Sequence, residues 1–427
     1  LSAYAYSYPH KSAYRSLDPP VPLADVWRNE DVSRLSLYLH VPFCEMRCGF
    51  CNLFTQSQPA QDEVAAYLAA LERQMALVRR AAPRARFDQC AVGGGTPTFL
   101  SARQLERMFA AVERTFDQPI GRMPASVETS PATATSDRLA VLSQFGVRRI
   151  SIGVQSFVPE EAAGLGRPQD MRVVYSALDA IRRCGVPRFN IDLIYGHKSQ
   201  TRQSWRTSLC ESLRFCPDEL YLYPLYVRPS TGLARVGHGA SPHRIDLYRQ
   251  AREFLVDGGY RQVSLRCFRL PHGDTEPSAY ACQRDGMIGL GCGARSYTRR
   301  LHYATRFAIT QRGVRAILHD WISQSDSELS VATHGIWLSD DEERRRYVVL
   351  SLLQVEGIDL VEYRQIFHSA PLDDVPELTL LREHGWLAET PGRLALTEAG
   401  LERSEEVGPL LYSPMVRERL REFVHLP

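Results

Sequence analysis

Leu35-Ser-Leu-Tyr-Leu-His-Val41 runs through Pro42 and Phe43 into Cys44-Glu-Met-Arg-Cys48-Gly-Phe-Cys51, and this passage decides the fold. The first segment alternates apolar and polar residues as a strand does, and Pro42 ends it. The cysteines therefore follow the carboxyl end of a strand, in a loop that carries glycine and an aromatic residue. Three thiolates at C-x3-C-x2-C spacing suit three corners of a cubane iron–sulfur cluster. Ordinary electron-transfer clusters close every iron with four cysteines, so a compact trio leaves one iron open to a ligand. The alternatives are a structural zinc site and a disulfide. Zinc wants four ligands from paired C-x2-C or C-x2-C/H-x3-H modules, and none of Cys90, Cys184, Cys210, Cys216, Cys267, Cys282 and Cys292 forms such a pair.

From Leu35 to about Cys267, short β-branched runs alternate with helical periodicity, the signature of βα units that build a parallel sheet. The predicted strands are Leu35–Val41, Phe87–Val92, Ala125–Thr129, Arg149–Val154, Arg188–Ile194 and Glu219–Tyr223. This series predicts an α/β fold, a partial (β/α)6 TIM-like barrel. Val64, Leu68, Leu71, Met75 and Val78 share one face of the first predicted helix, and Ser101 with Gln104 offers a capping box to the second. Loops beyond the carboxyl ends of parallel strands form the site in such folds. Every unusual motif here falls at such an end: Gly93-Gly-Gly-Thr-Pro-Thr98, Glu128-Thr-Ser-Pro131, Gln155-Ser-Phe157, and Asp192 within Asn190-Ile-Asp-Leu-Ile-Tyr-Gly196.

A chain of 427 residues, 44% hydrophobic and 23% charged, has the composition of a soluble globular protein with one large domain and a smaller one. Its net charge of +2 lacks the basic balance of a protein whose main partner is nucleic acid, and Arg344-Arg-Arg346 reads as a solvated helix face. The ten cysteines lack the dense spacing of a secreted disulfide scaffold, and most are expected reduced and buried. Leu1 to Pro9 has neither a charged start nor a long apolar run, and no stretch approaches about 18 consecutive apolar residues. The expectation is a cytoplasmic protein without signal peptide or membrane span. Beyond about Ser339 the pattern becomes helix, glycine corner, short hairpin and helix, a winged-helix-like α+β unit. It has no basic recognition surface, which favours a packing or lid role. The expected divisions are an arm over 1–34, a catalytic unit over 35–338 and the winged unit over 339–427.

Together these motifs resemble the radical S-adenosylmethionine superfamily, specifically its HemN-like branch, the oxygen-independent coproporphyrinogen III oxidase-like family. The resemblance is carried, in the family's order, by Tyr38-Leu-His40-Val-Pro-Phe-Cys44, Gly93 to Thr98, Ser151-Ile-Gly-Val-Gln-Ser-Phe157, Leu165-Gly-Arg167, Asn190 to Gly196 and Gly289-Leu-Gly-Cys-Gly293. It implies that Cys44, Cys48 and Cys51 ligate a [4Fe-4S] cluster whose open iron binds S-adenosylmethionine, and that one-electron reduction of the sulfonium yields a 5′-deoxyadenosyl radical. By the same resemblance Gly94, Gly95 and Thr96 meet the cofactor's methionyl end, and Arg167 pairs with its carboxylate. Gln155, Glu128 and Asp192 then bond its polar atoms, while Phe50 and Ile194 pack on adenine. Structural ion pairs for Glu128 and Asp192, and core filling for Phe50 and Ile194, are the alternatives. A second S-adenosylmethionine is implied beside Tyr38, Phe50, Thr96 and the backbone near Leu225, with Tyr38 facing the first sulfonium. The implied partners are a small organic substrate, a low-potential electron donor such as flavodoxin or ferredoxin, and a carrier protein, with neither nucleic acid nor membrane.

Four departures from the family pattern fall at the barrel mouth. Leu53 stands where porphyrinogen-oxidising members carry a further cysteine, and Tyr280-Ala-Cys-Gln-Arg-Asp-Gly286 replaces the histidine-bearing motif of haem chaperones. His197-Lys-Ser199 replaces Leu-Pro-Gly, and Arg295 replaces a histidine. They mark a different substrate, to which Lys198, Arg228, Arg266, Arg269 and Arg295 present positive charge for a carboxylate or phosphate, with Arg266 and Arg295 foremost. The arm Tyr6-Ser-Tyr-Pro-His-Lys-Ser-Ala-Tyr14 is expected to fold over the entrance. One-carbon transfer from a second S-adenosylmethionine, a methylation or cyclopropanation at carbon, is the expected reaction. Oxidative decarboxylation of a porphyrinogen and haem chaperoning are the alternatives.

Overall fold

The computed structural model describes residues 7–229, 231–237, 239–271 and 281–423. Tyr6 of the arm and Tyr280 of the altered motif lie outside them. One long mixed sheet organises the chain, and its strands in chain order are β1 Arg15–Pro22, β2 Leu35–Val41, β3 Phe87–Gly94, β4 Ala125–Thr129, β5 Arg149–Gln155, β6 Arg188–Tyr195, β7 Glu219–Pro224, β8 Cys267–Arg269, β9 Met287–Leu290, β10 Arg295–Tyr297, β11 Leu301–Ala304 and β12 Val331–Trp337. All six predicted strands form, as β2 to β7, each parallel to the next. The reason is visible in β2. Leu35, Leu37, Leu39 and Val41 join the apolar core while Ser36, Tyr38 and His40 take the other face.

A seventh parallel strand was not predicted: β9 pairs with β2 from Met287 beside Ser36 to Leu290 beside Leu39. Its glycines conceal it. A Cβ on Gly289 would lie 2.1 Å from the Arg295 carbonyl oxygen, so glycine is what lets β9 and β10 fold back on each other. From β10 the sheet continues antiparallel through β11, β12 and β1, and at the far edge β8 adds antiparallel to β7. The sheet runs from β1 to a short strand, Arg261–Gln262, without closing.

Helices cover the apolar face. Gln61–Ala81 buries the five predicted residues, Val64, Leu68, Leu71, Met75 and Val78. Each such side chain contributes about 1.5–3 kcal/mol on full burial, more than a cap supplies, about 1 kcal/mol. The predicted cap is present nonetheless, with Ser101 and Gln104 bonding each other's backbone N–H groups. A second apolar core unites Tyr347, Tyr363, Leu381, Leu394 and Leu411 with Tyr8 and Tyr14 of the arm. Around it stand helices and a three-stranded antiparallel sheet with Arg393–Leu396 between Ile358–Asp359 and Leu387–Thr390.

Two expectations fail on burial. Arg345 and Arg346 are 6% and 5% exposed rather than solvated. Arg345 binds Asp341, Glu377 and the Leu411 carbonyl, and Arg346 donates to the Cys282 and Asp285 carbonyls. Spacing revealed the helix but not which face another unit covers. Of the cysteines outside the trio, Cys90, Cys267 and Cys292 are buried, while Cys210, Cys216 and Cys282 are exposed. Among the described residues no helix is long and apolar enough to cross a membrane.

Candidate active site at the barrel mouth

The cysteine loop is pinned at both ends by the short parallel pairing of Phe43–Cys44 with Gln56–Ser57. Arg47 clamps it from within, donating to the Thr55 and Ile309 carbonyls. Gly49 rests on the segment that ends in Arg167: its N–H donates to the Leu165 carbonyl at 3.1 Å, and its own carbonyl accepts from Leu233 at 2.8 Å. A Cβ there would come within 2.8 Å of the Leu165 oxygen, so only glycine lets the loop lie this close. Arg167 is thereby brought to Cys48, with Nη1 3.6 Å from Sγ and Nη2 donating to the Gly153 carbonyl at 2.8 Å. The Thr96 hydroxyl points at Cys44 Sγ across 3.6 Å, and Cys51 Sγ is 3.7 Å from Thr55 Oγ1.

Each thiol thus has a different neighbour. Burial pushes Cys44 up to about 12 and raises Cys48 as well, so their thiolates need a metal to stabilise them. Among the described residues no three His, Cys, Asp or Glu side chains gather around a point that one ion could fill. Three cysteine sulfurs on one loop are the donor chemistry that an iron–sulfur cluster takes.

Gly93, Gly94 and Gly95 follow β3 into the same space. A Cβ on Gly94, where φ is +109°, would lie 2.5 Å from the His40 ring, and one on Gly95 would lie 2.5 Å from the Phe43 carbonyl oxygen. The room these glycines leave is taken by the chain itself. His40 is held by Tyr38 Oη at 3.1 Å and the Phe54 carbonyl at 2.9 Å, and burial lowers it to about 4, which keeps it neutral.

The barrel interior carries two carboxylates. Glu128 accepts from the Gly94 N–H at 3.2 Å. It is open to the lumen yet enclosed by the barrel wall, and burial together with the charge of Asp192 pushes its carboxyl up to about 7. Asp192 accepts from Asn190 at 2.7 Å and Ser151 at 3.0 Å, and burial raises it to about 6 against the pull of Arg149. Neither braces Arg167; among the described residues no ion pair joins that guanidinium to a carboxylate. Gln155 ends β5 at φ +71°, just past a register shift against β6. That turn carries its amide back over Gly153, whose Cβ would stand 2.6 Å from Nε2.

Phe50, Ile194 and Leu225, distant in sequence, pack in one small apolar cluster with Leu165 and Leu233. Arg266 reaches the mouth, with Nη2 donating to Tyr226 Oη at 3.1 Å and the guanidinium over the Tyr223 ring at 5.1 Å. Arg295 donates to Ser7 Oγ at 2.7 Å. Arg269 lies elsewhere: it pairs with Glu219 at 2.6 Å, where β7 begins, together with Arg149 and Arg188, because pairing with β7 carries it away from the mouth. Lys198 is exposed. Sequence reading missed Lys11, whose Nζ sits 3.5 Å from the centre of the Phe307 ring, and Glu405, which accepts from Tyr226 Oη and Arg244, each at 2.6 Å. Both pairings span long sequence separations, and no local pattern announces them.

The chain matches the Radical SAM superfamily over residues 38–209. It is 30% identical over 397 residues to the oxygen-independent coproporphyrinogen III oxidase of Cereibacter sphaeroides, a match covering 88% of this chain and 84% of that protein. It is 27% identical over 271 residues to the heme chaperone HemW of Bacillus subtilis, covering 61% of this chain and 70% of the other. The solved structure of Escherichia coli coproporphyrinogen III oxidase (HemN), described as a radical SAM enzyme, superposes with a TM-score of 0.79 at 23% identity and covers 96% of each chain. With the cysteine trio at the mouth of this barrel and a relative matched over most of both lengths, the chain belongs to the HemN-like family of radical S-adenosylmethionine enzymes, which implies a [4Fe-4S] cluster and S-adenosylmethionine as its cofactors.

Proposed function

We propose that the protein removes a hydrogen atom from a carboxylate-bearing substrate and drives an oxidative decarboxylation of the kind named for its coproporphyrinogen-oxidising relatives. The observation that carries this reading is the match to the Cereibacter sphaeroides oxidase over 88% of the chain. When bound, the cluster and S-adenosylmethionine supply the one-electron cleavage that makes the hydrogen-abstracting radical. Cys44, Cys48 and Cys51 hold the cluster. Arg167, paired with no carboxylate among the described residues, takes the carboxylate of S-adenosylmethionine, while Thr96 and the backbone of Gly94 and Gly95 border its methionyl end. Glu128, Gln155 and Asp192 bind its polar atoms, Phe50, Ile194 and Leu225 give its adenine an apolar seat, and Tyr38 faces the sulfonium. Arg266 and Arg295 orient the substrate carboxylate, a low-potential protein donor supplies the electron that cleaves S-adenosylmethionine, and the electron left when the substrate radical sheds carbon dioxide to form the vinyl group passes to a one-electron acceptor.

A second reading is one-carbon transfer from a second S-adenosylmethionine seated beside Tyr38, Phe50, Thr96 and Leu225. It draws support from Leu53, an apolar residue 44% exposed where the family resemblance places a cysteine in porphyrinogen-oxidising members. The test is product analysis of anaerobic, reduced enzyme with coproporphyrinogen III. Decarboxylation gives 5′-deoxyadenosine without S-adenosylhomocysteine, together with vinyl product and carbon dioxide. S-adenosylhomocysteine with a methylated product replaces that reading by the second, and stable haem uptake without turnover replaces both.

A further inference from the structure

The cysteine loop and the glycine-rich turn lie at the carboxyl ends of the strands, but one charged group gathers at the opposite end of the barrel. Arg149 opens β5, Arg188 opens β6, Glu219 opens β7, and Arg269 ends β8, which runs antiparallel to β7. Ile150, Phe189, Leu220 and Phe268, each next in sequence to one of them, join the apolar core, so the four charged side chains take the other face of the sheet, that of the barrel interior. Glu219 accepts from Arg149 Nε at 2.7 Å and from Arg269 Nε at 2.6 Å, and Arg188 Nε stands 3.5 Å from it. Strand pairing forces the crowding, because Arg149 lies directly beside Arg188 and Glu219 directly beside Arg269. Like charges at adjacent register positions repel, and arginine cannot relieve the repulsion by losing its proton. Among the described residues no second carboxylate lies within ion-pair distance of any of the three guanidiniums. Their donors are underused as well. Arg149 Nη1 donates to Ser126 Oγ at 3.0 Å, whereas the Nη groups of Arg188 and Arg269 donate to none of the described residues. Glu219 is sealed, with 1% of its side chain exposed, while Arg149, Arg188 and Arg269 keep 21%, 29% and 37%. One arginine neutralises a buried carboxylate; two more add repulsion and desolvation that a further anion would offset.

We propose that Arg149, Arg188 and Arg269 bind a tetrahedral dianion of the phosphate class at the base of the barrel, in a site separate from the cysteine trio. Three guanidiniums and one carboxylate leave two positive charges in excess, and a phosphate group carries about −1.5 to −2 near neutral pH. Guanidinium edges match phosphate oxygens two at a time, and forks that arrive from three strands suit a tetrahedron better than a planar carboxylate. The trio follows the carboxyl end of β2, whereas Arg149, Arg188 and Glu219 open their strands, so about 20 Å of barrel lies between the two sites. The anion site is therefore independent of the reaction at the mouth. Bound there, the anion ties β5, β6 and β8 together near the unclosed edge of the sheet.

The test needs no turnover. The cluster-loaded full chain, held with saturating S-adenosylmethionine, is dialysed to equilibrium against radiolabelled inorganic phosphate, with chloride at equal ionic strength as the control arm. Saturable binding at a single site is expected. Arg188→Gln and Arg269→Gln each leave Glu219 two arginine neighbours, so both should keep the wild-type iron content and melting temperature while binding phosphate at least about tenfold more weakly, the loss expected when a charged donor is removed. The two variants sit on different strands, and either alone carries the result. Displacement of the label by a nucleoside monophosphate at a lower concentration than unlabelled phosphate requires assigns a phosphate ester; displacement by inorganic phosphate first assigns the free ion. Binding that never saturates, that chloride removes equally well, or that both variants retain at wild-type strength marks an adventitious ion only and overturns the proposal.

Discussion

Gly95 has no room for a methyl group. Its Cβ would meet the Phe43 carbonyl oxygen at 2.5 Å and the Phe43 nitrogen at 2.9 Å. These are backbone atoms fixed by the bonds Gly95 N–H to Val41 O and Thr96 N–H to Phe43 O, each 2.7 Å, so they cannot step aside. Gly95→Ala is expected to cost about 1–3 kcal/mol, as overpacking does. Phe43 leads directly into Cys44, so iron content after reconstitution falls together with the melting temperature; wild-type values of both would refute the assignment. Glu128 makes a prediction with a sign. A carboxyl raised from its ordinary 4.5 to about 7 holds its proton more tightly in the folded chain. The folded state therefore loses stability as pH rises between those values. The cofactor-free protein should melt lower at pH 8 than at pH 5, and Glu128→Gln should flatten that slope. Because Glu128 is open to the lumen, water screens part of the effect. A slope unchanged in Glu128→Gln would show that other groups carry it.

At the scale of elements, the end of β5 stores strain at Gln155. Gln155 at φ +71° occupies a region that costs a side-chain-bearing residue about 1–3 kcal/mol, whereas glycine adopts it freely. Gln155→Gly should therefore leave the melting temperature equal or higher while weakening S-adenosylmethionine binding, measured by equilibrium dialysis on the cluster-loaded protein. A lower melting temperature with intact binding would make Gln155 a scaffold residue. The six central strands were legible because alternation within β2 to β7 and the helical period between them are local properties. So was the capping pair Ser101 and Gln104. β9 was not, since a four-residue strand threaded with glycine has no alternation to read. Nor was the burial of Arg345 and Arg346, because a helix that two units cover has no single polar face. The place of Cys44, Cys48 and Cys51 beyond the carboxyl end of β2 was legible from spacing, whereas the clustering of Phe50 and Ile194 with Leu225 was not, because Leu225 belongs to no motif and only the fold brings the three together. The contact of Lys11 with Phe307 was not legible either, because only the fold brings the arm to that ring.

At the scale of the whole molecule the carboxyl-terminal residues meet the rest of the chain at several ion pairs, Glu402 with Arg249 and Glu398 with Arg252 among them, and through Glu405 they also reach the loop after β7. Glu405, 7% exposed, begins the helix Ser404–Leu410 and accepts from Arg244 and from Tyr226 Oη, both at 2.6 Å. Tyr226 in turn accepts from Arg266 at 3.1 Å, and Arg244 also donates to the Leu225 carbonyl at 3.2 Å. Removing this charge therefore loosens the loop after β7 and the guanidinium of Arg266 together. Glu405→Gln keeps the shape, and its expected cost in stability is about 1–3 kcal/mol because Arg244 loses its partner in a half-buried setting. If the unit were mere packing, that would be the whole effect. Positioning demands more: the KM for an anionic substrate rises, 5′-deoxyadenosine forms in excess over product, and Tyr226→Phe produces the same uncoupling. Because both substitutions break one chain of contacts, the double variant should be no more uncoupled than either single one. Uncoupling that adds in the double variant, or a melting shift with KM unchanged, would reduce the carboxyl-terminal unit to a brace.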